Sequence, residues 1–193
     1  MVIAHHLVWT AYGTWLPNDP RGSGSHTVVA PALAELGPAH HGRKKAQPPS
    51  RVIRGFYENA EPRLVYPVIR FDALQIATIS EALAEAIRQY QYTCYAAAVM
   101  PDHVHLVIRK HRDHAEEMIA GLQAATRLRL STAALVPKDH PVWTLNGWHR
   151  FLTTPDHVHN VIRYVEENPT RAGLPRQTWP FVIPYNNWPF HRR

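Results

Sequence analysis

Two short apolar runs near the middle of the chain limit the folds that it can adopt. Residues Cys94 to Met100 and His103 to Ile108 are separated only by Pro101 and Asp102. Apolar runs of this length on either side of a turn are typical of a β-hairpin. An antiparallel sheet is therefore expected at the centre of the fold.

Two further strands are predicted outside the hairpin. Leu7, Trp9 and Ala11 alternate with their neighbours between Ile3 and Tyr12, which indicates a first strand. A last strand is expected at one of two places, which the pattern leaves open: Pro141 to Leu145 or Trp148 to Leu152.

Three helices are predicted between and after these strands. The first runs from Asp72, its expected N-cap, to Tyr92, and the second from about His114 to Leu130. The third begins where Thr154 precedes Pro155, and should stop near Asn168, because the residue before a proline is pushed out of helical geometry. The element order predicts an α+β fold with an antiparallel sheet covered by helices on one face.

Length and composition predict one domain with an irregular insertion. With 193 residues and 45% hydrophobic content, the chain is expected to form a single domain over residues 1–175, followed by an aromatic, proline-rich tail at 176–193. Seven of its 17 prolines lie between Pro17 and Pro62. The segment at about 17–67 is therefore interpreted as a solvated loop or flap rather than a separate module.

Charge and cysteine content restrict partners and compartment. The formal net charge of +6 favours a polyanionic partner such as nucleic acid. A single cysteine, Cys94, excludes an internal disulfide and a four-cysteine zinc site, and is expected to be a buried, inert thiol. The single cysteine predicts a reducing, cytoplasmic location, and since no leader pattern or membrane span is evident, no membrane partner is expected.

The pentapeptide Pro-Asp-His-Val-His occurs twice, at residues 101–105 and 155–159. In the first copy a strand continues, so its period of two places His103 and His105 on one face, as two ligands of one metal require. In the second copy the histidines lie in the first turns of a helix, where residues two apart point about 200° apart. The first copy is the candidate metal site, and a hydrogen-bonded histidine pair is its structural alternative.

On the third predicted helix, Tyr164 and Asn168 are four residues apart and share one shoulder of the apolar stripe. His157 lies two turns earlier on the same side. From periodicity alone, a rim aromatic that caps the core is the favoured interpretation of Tyr164, and an ordinary helix-ending residue is still more strongly favoured for Asn168.

Two linked motifs resemble the single-tyrosine HUH transposases, and in particular their REP-associated branch. Members carry a Met-Pro-x-His-Val-His strand and a Tyr-x-x-x-Asn-Pro-x-x-Ala-Gly helix end, which here correspond to residues 99–107 and 162–174. The early segment from Tyr12 to Gly22 also resembles a subgroup of these proteins. The similarity covers most of the chain except about Ser23 to Pro67.

This resemblance implies a ferredoxin-like catalytic domain of the HUH endonuclease type. It implies His103 and His105 as ligands of Mg²⁺ or Mn²⁺, Asn168 as the third ligand, and Tyr164 as the nucleophile. The implied reaction is cleavage and rejoining of hairpin-associated single-stranded DNA through a 5′-phosphotyrosine intermediate, by a homodimer associated with the nucleoid.

Several basic and aromatic residues are candidates for DNA contacts. The basic candidates are Arg109, Lys110, Arg112, Arg127 and Arg129, with solvated helix ends as the equal alternative. Trp15, Trp188 and Phe190 are candidates for stacking on unpaired bases, but a tail packed on the domain is favoured for the last two.

The sequence is also compatible with two other functions. A domesticated, non-catalytic DNA- or RNA-binding protein could retain the fold, although the intact Tyr164 and histidine pair argue against it. A histidine-based nucleotide hydrolase normally needs a further histidine in register, and Val107 stands there.

Overall fold

The computed structural model describes residues 1–189. They divide into two compact units: a sheet unit, made of Met1–Thr10 and the chain from Phe71 onward, and an inserted unit, Ala11–Arg70. The strands of the sheet unit are β1 (Ala4–Thr10), β2 (Cys94–Val99), β3 (His103–Arg109) and β4 (Trp148–Leu152). The helices are α1 (Pro31–Ala34) and α2 (Ser50–Ala60) in the inserted unit, and α3 (Ala73–Gln89), α4 (Ala115–Thr132) and α5 (Pro155–Arg171) in the sheet unit.

The four strands form one antiparallel sheet in the order β2-β3-β1-β4. Strands β2 and β3 are the expected hairpin, and the last strand occupies Trp148–Leu152, the second of the two predicted places. With α3 between β1 and β2 and α4 between β3 and β4, the connections follow the β-α-β-β-α-β pattern of ferredoxin-like folds. The predicted α+β class with an antiparallel sheet is confirmed.

The helices lie on both faces of the sheet, so the prediction of one covered face is wrong. Val165 of α5 packs in one cluster with Ala98 and Val107. On the opposite face, the ring of Trp9 contacts that of Trp143, whose indole N–H donates to a hydroxyl of α4. The apolar stripe of α5 needs a face of its own, because α3 and α4 pack against each other on the other side.

Helix α5 continues through Pro169 to Arg171, and does not stop near Asn168 as the proline suggested. Its end is set instead by Gly173, whose φ of +74° lies in the left-handed region. The Leu174 N–H then donates to the Pro169 carbonyl at 2.8 Å, and Leu174 packs against the core. A proline this close to the helix end removes only one hydrogen bond, which the terminal packing offsets.

The predicted helix starts are confirmed. The side chain of Asp72 accepts from the Gln75 backbone N–H at 2.8 Å, while the Gln75 side chain accepts from the Asp72 N–H. The Thr154 hydroxyl accepts from the His157 N–H at 3.2 Å. Both are N-caps of the expected kind.

The inserted unit is more ordered than its composition predicted. Leu16, Leu33 and Ala60 form a small buried cluster. The fully buried Asp19 carboxylate accepts from the Arg21 guanidinium at 2.7 Å and from the Tyr57 hydroxyl. Burial raises the pKa of Tyr57 above its ordinary value, and the hydrogen bond to Asp19 raises it further. This polar network and the apolar cluster supply the stability that a proline-rich composition does not reveal.

The described part of the C-terminal tail packs on the sheet unit. The Gln177 side chain pairs with both the N–H and the carbonyl of Val99, at 2.9 and 2.7 Å. Tyr185 and Trp188 pack against the core, which agrees with the packing alternative for the tail. Phe190 lies outside the described residues. No helix within residues 1–189 is long and apolar enough to cross a membrane.

Candidate active site and metal centre

Three histidines from two neighbouring strands meet on one face of the sheet. His103 and His105 lie two residues apart on β3, and their rings are 4.7 Å apart between centroids. His6 of β1 lies on the same face, and its ring stacks on that of His105 at 5.2 Å. Val107, two residues beyond His105 on the same face of β3, packs with Val158 and Val165, so α5 covers the face that carries the site.

Each of the two β3 histidines has its Nδ1 atom engaged by another side chain. Nδ1 of His103 is 2.6 Å from Oδ1 of Asp102, and Nδ1 of His105 is 3.1 Å from Nε2 of His6. This leaves Nε2 on both rings as the atom that can bind a metal. Metal-ligating histidines commonly hold their second nitrogen to a neighbouring acceptor in this manner, so the donor set fits a divalent cation.

Burial keeps two of these rings neutral. It lowers the pKa of His105 to about 2, with further lowering by the charges of His103 and His6. The pKa of His6 is lowered to about 4, mainly by burial and to a smaller extent by the charges of Arg150 and His157. Both imidazoles are therefore unprotonated at neutral pH, which is the form that binds a metal or accepts a hydrogen bond.

Tyr164 of α5 faces the histidines and remains accessible. Its ring lies 5.7 Å from that of His105 and 6.1 Å from that of His6, in edge-to-face contact with both. The side chain is 43% exposed, so a macromolecular substrate can approach it. The structure thus brings together the tyrosine and the histidines that the two sequence motifs singled out.

Asn168 lies one turn beyond Tyr164, and its Nδ2 donates to the Tyr164 backbone carbonyl at 3.4 Å. Within residues 1–189, no three side chains of His, Cys, Asp or Glu converge closely enough to hold a metal by themselves. A cation on His103 and His105 would therefore need oxygen ligands of another kind, such as an amide or a phosphate. Asn168 stays the predicted third ligand.

The second Pro-Asp-His-Val-His copy does not form a comparable pair. His159 turns toward the tail, where its Nε2 lies 2.8 Å from Oδ1 of Asn187 and its ring is 5.1 Å from that of Tyr185. His157 instead contributes to the lowered pKa of His6, after burial and Arg150. The helical spacing separates them, as the sequence predicted.

Three of the predicted DNA-contact arginines are engaged within the protein. The Arg109 guanidinium lies 4.8 Å above the Trp188 ring. Arg127 donates to the carbonyls of two residues beyond α4, and Arg129 forms an ion pair with Glu85 of α3. Their contacts give these three side chains structural roles in the protein itself.

Of the remaining candidates, two basic residues are exposed and one tryptophan is packed. Lys110 and Arg112 are exposed, with Arg112 3.6 Å from Asp113 at the surface. Trp15, in the inserted unit, packs under the Arg21 guanidinium at 3.9 Å and donates to the Gly22 carbonyl. Lys110 and Arg112 are thus the more available of the predicted phosphate contacts.

Three residues around the site were not predicted from the sequence: His6, Trp148 and Arg150. Trp148 and Arg150 lie on the edge strand β4, opposite Val8 and His6 respectively, and share the face of the histidines. The Trp148 ring is 5.7 Å from that of His6. The alternation along β1 placed His6 on a definite face, but no local signal showed which strands would lie beside it.

Among known proteins, similarity to this chain was found only with solved structures. No family model matches the chain, and no curated protein matches it. A REP-associated tyrosine transposase bound to a REP hairpin has a TM-score of 0.48 and 12% identity, over 93% of this chain and 74% of the other. A candidate transposase from Deinococcus radiodurans R1 has a TM-score of 0.39 and 16% identity, over 87% of this chain and 91% of the other.

Proposed function

We propose that this chain is a metal-dependent, single-tyrosine nuclease of the HUH transposase type, which cleaves and rejoins single-stranded DNA. The observation that carries the proposal is the arrangement of Tyr164 with His103 and His105. An exposed phenol lies edge to face with His105, and both His105 and the adjacent His103 have Nδ1 engaged, which would leave Nε2 of each ring to bind a metal.

The Tyr164 hydroxyl is the nucleophile. Its oxygen forms a bond to phosphorus while the bond from phosphorus to the 3′ oxygen breaks, leaving a 5′-phosphotyrosine and a free 3′-hydroxyl. The phenol proton leaves during attack, and the departing 3′ oxygen takes up a proton. Attack by a 3′-hydroxyl on the phosphotyrosine reverses the same bond changes and seals a new junction.

The other residues would align the scissile phosphate and neutralise its charge. Phosphoryl transfer depends on alignment and charge stabilisation more than on a strong base. His103 and His105, with Asn168 as the third ligand, would hold Mg²⁺ or Mn²⁺, which supplies Lewis acidity to a phosphate oxygen when bound. Lys110 and Arg112, whose side chains are exposed, would contact the DNA backbone.

Partner and setting follow from the same proposal. The net charge of +6 suits a nucleic-acid partner, and hairpin-forming DNA is the substrate class that the motif resemblance implies. We propose a homodimer in the cytoplasm, associated with the nucleoid, as the working form.

A covalent-adduct assay tests this function. The protein is incubated with end-labelled hairpin oligonucleotides and Mn²⁺ or Mg²⁺, and the products are separated on a denaturing gel. We expect a metal-dependent protein–DNA adduct that disappears in Tyr164→Phe and persists in Tyr90→Phe, a control at the end of α3.

Two results would count against the proposal. An adduct that survives Tyr164→Phe would exclude this residue as nucleophile. Hairpin binding without any adduct, across metals and oligonucleotides, would favour the non-catalytic binding protein instead.

A further inference from the structure

His6 has a defined hydrogen-bonding relation to the candidate metal site. It is 6% exposed, and its Nε2 lies 3.1 Å from Nδ1 of His105, across two strands that are paired in the sheet. The two rings are nearly parallel, with 21° between their planes. Asp102 makes the equivalent contact on the other histidine, because its Oδ1 lies 2.6 Å from Nδ1 of His103.

We propose that His6 is a positioning residue that holds His105 in the tautomer able to bind a metal. If Nε2 of His6 accepts, Nδ1 of His105 carries the proton and its Nε2 lone pair is free. Asp102 has the same effect on His103, so both histidines present the same ring nitrogen. This inference rests on the proposed function, in which His103 and His105 hold a cation.

Variants of His6 separate positioning from mere packing. The amide oxygen of Gln in His6→Gln can still accept from His105, whereas the ring in His6→Phe cannot. Loss of such an outer partner typically weakens metal affinity about 10- to 100-fold. We expect that loss of Mn²⁺ affinity, measured by titration calorimetry, in His6→Phe and most of the affinity retained in His6→Gln.

The chain offers a matched control at the next position. His5 is also 6% exposed but points to the opposite face of the sheet. We expect His5→Phe to keep the Mn²⁺ affinity of the wild type, which separates a metal effect from general damage to β1.

Pulsed electron paramagnetic resonance of bound Mn²⁺ completes the test by counting coordinated imidazoles. Two are expected in the wild type and in His6→Gln. The proposal is overturned by wild-type affinity in His6→Phe, by absence of Mn²⁺ binding in the wild type, or by three imidazoles that fall to two in His6→Gln. A protein with the expected metal behaviour but no Tyr164 adduct would refute the proposed nuclease and leave the role of His6 standing.

A second, independent observation concerns the edge of the sheet beside the site. Trp148 is 51% exposed on β4, although a tryptophan side chain is costly to leave in water. Through Val8 it shares one row of the sheet with His105, and Arg150 follows two residues later on the same face. An exposed indole with a neighbouring guanidinium is the combination that proteins use to hold unpaired nucleotides.

We infer that Trp148 stacks on an unpaired base next to the phosphate that Tyr164 attacks, and that Arg150 contacts the adjoining backbone. The ligand class is single-stranded DNA, so the inference deepens the proposed function. The base is held by its ring face, which makes this contact tolerant of sequence.

Binding is measured in a Tyr164→Phe background, where cleavage does not interfere. We expect Trp148→Ala to raise the Kd for a single-stranded oligonucleotide roughly 5- to 100-fold, with most affinity retained in Trp148→Phe. The slope of log Kd against the logarithm of salt concentration should fall by about 0.7 in Arg150→Gln, which is the value for one lost phosphate contact on a single strand.

Phe151 is the matched control, because it is also 51% exposed but lies on the opposite face. Phe151→Ala should leave the Kd unchanged. An abasic site scanned along the oligonucleotide should weaken binding at one position in the reference protein, and have no effect there in Trp148→Ala. Equal losses in Phe151→Ala and Trp148→Ala, or no loss in Trp148→Ala, would refute the stacking role whether or not the protein cleaves DNA.

Discussion

Asn168, the proposed third metal ligand, also makes a hydrogen bond within its own helix. Its Nδ2 donates to the Tyr164 carbonyl, which ties the amide to the turn that carries the proposed nucleophile. The oxygen of the same amide is the atom that a hard divalent cation would use. Tyr164 and Asn168 are thereby coupled through backbone and side chain on one shoulder of α5.

We expect Asn168→Ala to lower Mn²⁺ affinity at least about tenfold and to reduce adduct formation to a similar extent. The unfolding free energy should change by less than about 0.5 kcal/mol, because the side chain is not buried. Titration calorimetry and the adduct assay measure these effects. Asn160→Ala, an exposed change on the same helix, serves as control. Unaltered Mn²⁺ affinity in Asn168→Ala would assign the third ligand elsewhere.

At the scale of elements, α5 has to bury one side and expose another. Val158 and Val165 lie in the core, while Tyr164 between them in sequence reaches the accessible face. The orientation is held at both ends, by the Thr154 cap and by the turn at Gly173 that returns Leu174 to the core. Changes at either end should therefore affect both stability and the placement of Tyr164.

Gly173→Ala isolates the cost of the left-handed turn. A Cβ there would meet no atom within 4 Å, so the penalty comes from the positive φ alone and should be about 1 to 2 kcal/mol. Urea unfolding followed by far-UV circular dichroism gives the value.

Gly121→Ala is the matched control for this measurement. Its position lies inside α4, and its Cβ would meet Tyr90 at an ordinary 3.4 Å. We expect a gain of up to about 1 kcal/mol from helix propensity. The same sign for both glycine variants would contradict this account.

At the scale of the whole molecule, the chain forms two compact units, and the inserted unit has its own source of stability. The Asp19 carboxylate is fully buried and satisfies Arg21 and Tyr57, while the His40 ring approaches the Asp19 carbonyl at 2.9 Å. Removing a buried charge leaves its hydrogen-bond partners unsatisfied. The resulting loss of folding free energy exceeds the net stabilisation that the intact pair provides.

We expect Asp19→Ala to destabilise the inserted unit by about 3 kcal/mol, because Arg21 is partly exposed and can regain some hydration. Hydrogen exchange of the amides of α2 should accelerate accordingly. Glu58→Ala removes an exposed carboxylate from the same unit and should leave exchange almost unchanged. Unchanged protection of α2 in Asp19→Ala would show that this network does not stabilise the unit.

The chain's local patterns determined features that depend on near neighbours. The hairpin followed from two apolar runs around Pro101 and Asp102, and the start of α3 from Asp72. The common face of His103 and His105 followed from the period of a strand, because successive side chains point to opposite sides. Each of these depends on a few consecutive residues, so the sequence was sufficient.

Only the tertiary structure decided which distant groups meet. His6 and His105 are 99 residues apart, and they touch because β1 takes the place beside β3 in the sheet. The same order leaves Trp148 at the edge, and the packing of α3 with α4 leaves the histidine face to α5 and Tyr164. Strand order and helix placement depend on burial of apolar surface across the whole unit, which no short segment encodes.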